Sequence, residues 1–319
     1  MTERRAADLL QAYTGRERKL EVCASPDNLA PADRAEILVV LSSDPDPEIA
    51  ERAAQALQTQ PVESFVEAIK RDEAMPALFE YSSKRFVGKA AVAEALVYNK
   101  NCPSRLITEH VPHLTAMSVQ SLMDSLDRVA ESAALAAALL ESTSATADNR
   151  KVLQELLGPE TPVDEGALME ALMEVEPDAE KRQTLLQRLA KMTVSERVQF
   201  AIKGGSEARR TLIRDSNKVV QRAVLQSPRL TDQEVEAFAS MSSLTDEILR
   251  LIAGNRTFKK NYAVVRNLMT NSKTPLDVTL HMLPMLNAVD LKKLSNNKNV
   301  PETLRTTATK LIRTRAVQH

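Results

Sequence analysis

Apolar residues recur at three- and four-residue spacing along almost the whole chain, as in VAEALVY (92–98), VQRAVLQ (220–226) and VVRNLMT (264–270), with polar positions between them. One stripe of apolar residues on a 3.6-residue period is the signature of a helix with one buried face. The pattern predicts helices over 3–13, 32–42, 47–58, 62–71, 85–98, 104–110, 118–126, 128–141, 149–157, 165–174, 178–191, 194–203, 206–214, 217–226, 232–241, 244–253, 258–270, 275–287 and 301–314. No alternating Val/Ile/Thr series long enough for a strand interrupts them, so the expected fold is all-α.

The stretches between helices repeat. NKNCPSRL (99–106), NSKTPLDV (271–278) and NKNVPETL (297–304) share Asn-x-x-x-Pro-x-x-(Leu/Val), and SPRLTDQE (227–234) has Thr231 in place of the proline. Each copy reads as a helix end, a tight connection and a helix start. Asn tolerates the left-handed conformation that closes many helices, so Asn99 and Asn271 are expected stops. Proline suits the first turn of a helix, where its missing N–H is no loss. Thr231 with Glu234 offers a capping box instead, and the Leu or Val after the proline is expected to face the core. Units of roughly 40–47 residues would fit helical pairs of the HEAT type into the gap before residue 227.

SSDPDPEIAERAAQAL (42–57) resembles a unit of the HEAT-like repeat proteins. EALVYNKNCPSRLITEHV (94–111) resembles the leucine-rich-variant repeats of bacteria, although Lys100, Ser272 and Lys298 stand where that pattern has its first proline. Together the resemblances cover about half of the chain. They imply an α-solenoid of irregular helical hairpins that acts by binding and has no common catalytic residues. Polar or Pro/Gly-bearing interruptions at 141–149 and 158–166 suggest an acidic N-terminal segment, 1–157, and a C-terminal segment, 158–319, or one continuous solenoid bent there.

The charge changes this picture. The net charge is −1 over 319 residues, with 43% hydrophobic residues. Residues 1–202 carry 22 Lys+Arg against 33 Asp+Glu, a net of −11; residues 203–319 carry 20 against 10, a net of +10. A basic half points to an acidic partner, to nucleic acid, or to self-association with the acidic half. Two cysteines are too few for a disulfide framework, and no apolar run is long enough for a membrane span. The charged N-terminus lacks the apolar core of a secretion signal, so a cytoplasmic location is expected.

Candidate chemistry is sparse. Cys102, His110 and His113 are zinc-type ligands, but Pro112 breaks the helix that would present both imidazoles, and Cys23 is remote; neither a metal nor a cofactor is expected. There is no nucleophile elbow and no Cys/His/Asn signature. DPDPE (44–48) lacks the glycine and distal glutamate of a calcium loop, and its aspartates read as helix caps. KGGSEARR (203–210) offers a glycine turn, a Ser N-cap and two arginines to an anion. A basic binding surface is expected from Arg209, Arg210, Lys259, Lys260, Lys292 and Lys293, with Lys310, Arg313 and Arg315 adding to it and Phe258 and Tyr262 as the nearby aromatics. These features predict a non-enzymatic scaffold that binds another protein along a helical-repeat surface; the alternative is a nucleic-acid or polyanion binder using the basic half.

Overall fold

In a computed structural model of the chain, residues 15–24, 29–159, 163–175 and 178–317 are described. The helix expected over 3–13 lies outside them. Among the described residues every regular element is helical, and no strand is present. The chain divides into two compact units, Met1–Leu157 and Gly158–His319.

The first unit contains α1 (Arg16–Ala24), α2 (Pro31–Leu41), α3 (Pro47–Gln58), α4 (Val62–Ile69), α5 (Pro76–Arg85), α6 (Ala90–Tyr98), α7 (Ala116–Met123), α8 (Leu126–Ala130), α9 (Ala133–Glu141) and α10 (Ala147–Leu157). The second contains α11 (Glu165–Val175), α12 (Ala179–Lys191), α13 (Val194–Lys203), α14 (Ser206–Leu212), α15 (Lys218–Leu225), α16 (Asp232–Ser240), α17 (Asp246–Gly254), α18 (Tyr262–Thr270), α19 (Leu276–Met282), α20 (Ala288–Asn296) and α21 (Glu302–Val317).

Local chemistry explains most of the helix starts. Pro31, Pro47 and Pro76 occupy first turns, where φ near −65° is already helical. Asp46 caps α3, and Thr193 and Thr231 form full capping boxes with Glu196 and Glu234. The helices α1, α5 and α20 were not foreseen from the apolar pattern, because each mixes polar and apolar residues without a wide stripe. The helix expected over 85–98 begins only at Ala90, since Gly88 turns the chain at φ +86. The helix expected over 104–110 is instead a pair of 3-10 turns, Ser104–Leu106 and Thr108–His113, with Pro112 inside the second.

Within each unit a helix packs chiefly on those one and two places along: α2 on α3 and α4, α4 on α6, α13 on α15, α16 on α18, and α20 on α21. Their apolar stripes meet in cores that bury Ile37, Phe65 and Phe79 in the first unit and Val220, Phe238 and Leu268 in the second. Burying each such side chain contributes about 1.5–3 kcal/mol.

The repeated joints are built differently from the expectation. Asn99 and Asn271 are not left-handed: their φ, ψ angles are −79°, 113° and −78°, 119°, and no residue other than glycine has positive φ among the described residues. Each side chain is a buried clamp. The Asn271 amide donates to the carbonyls of Ala239 (3.0 Å) and Met241 (2.9 Å), while its oxygen accepts the Lys273 N–H. Asn99 does the same to the carbonyls of Ile69 and Arg71 and accepts the Asn101 N–H. In the fourth copy the Ser227 hydroxyl donates to the Ile202 carbonyl at 2.8 Å. Asn297 keeps only the local bond from the Asn299 N–H.

Other side chains satisfy earlier carbonyls at similar separations: Arg128 those of Val97 and Cys102, Ser144 that of Leu114, Asn267 that of Glu236, and Arg315 those of Pro284 and Leu286. These clamps, with those of Asn99, Asn271 and Ser227, span 25 to 32 residues. That spacing is shorter than the 40–47 residues expected of a HEAT-type pair. It corresponds to two short helices, whose C-terminal carbonyls would otherwise lack partners. The position before the proline is a packing position: Cys102, Thr274 and Val300 are all buried. Leu106 and Leu304 face the core, while Val278 is half-buried.

Candidate interaction surface

The residues with the greatest chemical potential are engaged in the fold. Cys102 is buried, and desolvation pushes its thiol up to about 12, which leaves it protonated and unreactive near neutrality. His110 is fully buried, with Nε2 3.0 Å from the Ser83 carbonyl, and burial holds its pKa below the usual value. His113 is exposed, its ring facing Gly88. Among the described residues no three His, Cys, Asp or Glu side chains are grouped to hold a metal.

Asp46 accepts the Glu48 N–H at 3.0 Å, the cap expected of the DPDPE stretch, and Asp44 accepts the Asp46 N–H. Arg16 bonds to Asp46 and Glu48, and Lys19 to Asp44 at 2.6 Å. Their hydrogen bonds hold both aspartates below the ordinary carboxylate range.

At 203–210 the geometry does not form an anion cradle. The cap of α14 is Gly205, with Ser206 already inside the helix. A Cβ on Gly204 would sit 2.4 Å from the Phe200 carbonyl, so that glycine answers to close packing. Arg209 is 3% exposed and therefore does not belong to a basic surface. Its Nε and one Nη each donate to Glu234 at 3.0 Å, and the other Nη donates to the Gly204 carbonyl at 2.9 Å. Glu234 is itself the partner in the Thr231 capping box. A bidentate guanidinium–carboxylate contact of this kind compensates two buried charges that neither could carry alone. Arg210, one residue on, faces solvent.

The elements that carry the remaining predicted cations are joined by a contact that the sequence does not advertise. Lys259 and Lys260 lie in the 3-10 turn Phe258–Lys260, directly before Asn261, which caps α18. The hydroxyl of Tyr262, first residue of α18, donates to Asp290 Oδ2 at 2.6 Å and accepts the Asn287 N–H at 3.2 Å. Asn287 caps α20, the helix that carries Asp290, Lys292 and Lys293. One tyrosine therefore joins the two elements that carry the lysine pairs. Lys260, Lys292 and Lys293 are exposed and Lys259 is half-buried. The Tyr262 bond, with Lys293 and Arg266 nearby, holds the Asp290 carboxyl below its ordinary range.

In the segment that Tyr262 bonds to, Met285 is 46% exposed and Val289, next to Asp290, is 63% exposed; Tyr262 itself is 38% exposed. Asp290, Met285 and Val289 had no distinguishing mark in the sequence; the available signal was Val289 on the polar side of an otherwise regular helix. Further along, Lys310 and Arg313 line a shallow groove on α21 with Arg305, while Arg315 is taken up by carbonyls of 284 and 286.

Set against known protein families, curated proteins and solved structures, the chain matches none. No helix among the described residues is long and apolar enough to cross a membrane.

Proposed function

We propose that this chain is a non-enzymatic scaffold: an α-solenoid of short helical hairpins, akin to the HEAT-like and leucine-rich-variant repeats, that binds another protein. The observation that carries this reading is the clamp that recurs at 25 to 32 residues in both units, from Asn99 to Ile69 in the first and from Asn271 to Ala239 in the second. A joint that couples each hairpin to its predecessor leaves the outward helix faces free, which is how repeat proteins present extended binding surfaces. The engagement of Cys102, His110, Arg209 and Glu234 in packing supports a binding role over a catalytic one.

The test is affinity capture from the native cell with wild-type protein beside a Lys259→Glu/Lys260→Glu variant. A partner retained by the first and lost by the second is expected. No enriched partner, or one indifferent to the reversal, counts against the reading. A second reading, polyanion binding, is favoured by one feature: between Glu247 and Asp277 there is no acidic residue, while Arg250, Arg256, Lys259, Lys260, Arg266 and Lys273 are all basic. Duplex and single-stranded DNA titrated over a salt series test it, since a phosphate-driven complex weakens steeply with salt.

A further inference from the structure

We infer that the surface formed by Tyr262, Met285 and Val289 is a docking site for an acidic peptide segment that carries apolar side chains. This inference rests on the scaffold reading and names the class of partner. Of the nine large apolar side chains exposed among the described residues, these three come from one small region. Tyr262 reaches the N-terminus of α20, where Val289 occupies the first turn, and Met285 lies two residues before the Asn287 cap. The tyrosine hydroxyl is already bonded on both sides, so what it offers a partner is the ring. Its position is fixed by those two bonds before anything binds, which lowers the ordering cost of docking. Met285 is the adaptable member, able to shape itself to different apolar groups.

Cations flank the Tyr262–Asp290 contact: Arg266 and Lys293 lie near Asp290, and Lys260 and Lys292 are exposed in the same two elements. The nearest carboxylate, Asp290, is largely buried against Tyr262 and Lys293, its side chain 11% exposed. A basic rim around an aromatic and aliphatic centre has the composition of an interface core with a steering border. The complementary ligand places apolar side chains on Tyr262, Met285 and Val289 and carboxylates opposite the lysines. A nucleic acid would satisfy the rim and leave Met285 and Val289 exposed.

The experiment is selection of the full-length chain against a random library of displayed peptides about 16 residues long, followed by titration of a synthetic peptide of the consensus. The expected consensus combines Asp or Glu with Leu, Phe or another large apolar residue. Val289→Asp and Lys292→Glu/Lys293→Glu are each expected to weaken the consensus peptide by at least ~10-fold, with helicity and melting unchanged. Lys151→Glu, an exposed reversal in the first unit, serves as the control and leaves binding as it was. Failure to select any peptide, a consensus without acidic residues, or a peptide indifferent to Val289→Asp overturns the inference. So does equal competition by single-stranded DNA of the same charge, which marks a plain polyanion surface, or self-association of the chain that Val289→Asp abolishes while no peptide binds. If the partner captured from the cell binds Val289→Asp as tightly as wild type, this site is wrong and the scaffold reading stands. Loss of both partner and peptide in the wild-type protein removes both.

Discussion

In the first unit, the buried charges Arg34 and Glu36 bond to the main chain: Arg34 donates to the carbonyls of Val22 and Cys23, and Glu36 accepts the Met75 N–H at 2.6 Å. In the second unit, buried charges face one another. Arg197 lies 3.2 Å from Asp215, and Arg209 grips Glu234 with two bonds of 3.0 Å. The first arrangement joins one charge to neutral dipoles; the second makes each charge depend on a single opposite partner. Removing one member of such a pair strands the other in a low-dielectric interior, which costs more than losing one hydrogen bond to a carbonyl.

This comparison sets the order of expected damage. Glu234→Ala leaves Arg209 buried without its carboxylate and removes half of the Thr231 capping box; it should destabilise the second unit by about 3–5 kcal/mol in urea denaturation. Replacing Arg209 and Glu234 together by Met and Leu should recover much of that loss. If the single and double variants melt alike, the pair is not the cause.

Asn271→Ala leaves the Ala239 and Met241 carbonyls without their side-chain donor, and Asn99→Ala leaves that of Ile69, since the Arg71 carbonyl also accepts the Ala74 N–H; each has an expected cost of about 1–3 kcal/mol. Hydrogen exchange should show the loss concentrated in the neighbouring helices, because each helix packs chiefly on those one and two places along. Uniform loss of protection across the chain would contradict that.

Acid sharpens the contrast between two glutamates. For Glu234, burial pushes the carboxyl up, but the bonds from Arg209 and Thr231 outweigh it and hold the group below its ordinary value of 4.5. Its stabilising contribution is therefore present above that value and lost as pH falls through the depressed one. For Glu36, burial dominates and raises the carboxyl. The folded state then prefers the protonated acid, and stability from this group falls as pH rises from the ordinary value through the raised one. Glu234→Gln should be less stable than wild type near neutrality, with the difference shrinking in acid. Glu36→Gln, which keeps an acceptor for Met75, should match or exceed wild type near neutrality. Denaturation midpoints in the two pH ranges decide it.

The smallest effect separates adjacent residues. Arg210→Ala should change stability by no more than ~0.5 kcal/mol, the usual range for a surface site, whereas Arg209→Ala should resemble Glu234→Ala.

Much of the fold was legible because helix starts are local events. The threonine–glutamate spacing at 231–234 and the Asp46 cap act within four residues, and the structure places helices where those signals stand; the motif prolines stand one position earlier than the first turn expected of them, Pro275 at the N-cap of α19 and Pro103 at the N-cap of a 3-10 turn. The apolar periodicity failed at α1, α5 and α20, whose packing supplies what their narrow stripes do not announce. Less of the candidate surface could be read. The lysine pairs at 259–260 and 292–293 were visible as charge, but the Tyr262–Asp290 bond between their two elements was not.

The sequence by itself determined that this protein is helical, where most of its helices begin, and that its joints repeat. Only the tertiary structure decided that Asn99 and Asn271 clamp an earlier helix end in extended backbone, that Arg209 is buried while Arg210 is not, and that Tyr262 bonds to Asn287 and Asp290, the segment that carries Met285 and Val289. The reason is one of range. Capping and periodicity depend on neighbours along the chain, whereas each of these outcomes depends on a partner or a packed surface two or more helices away, and local spacing carries no record of which one it meets.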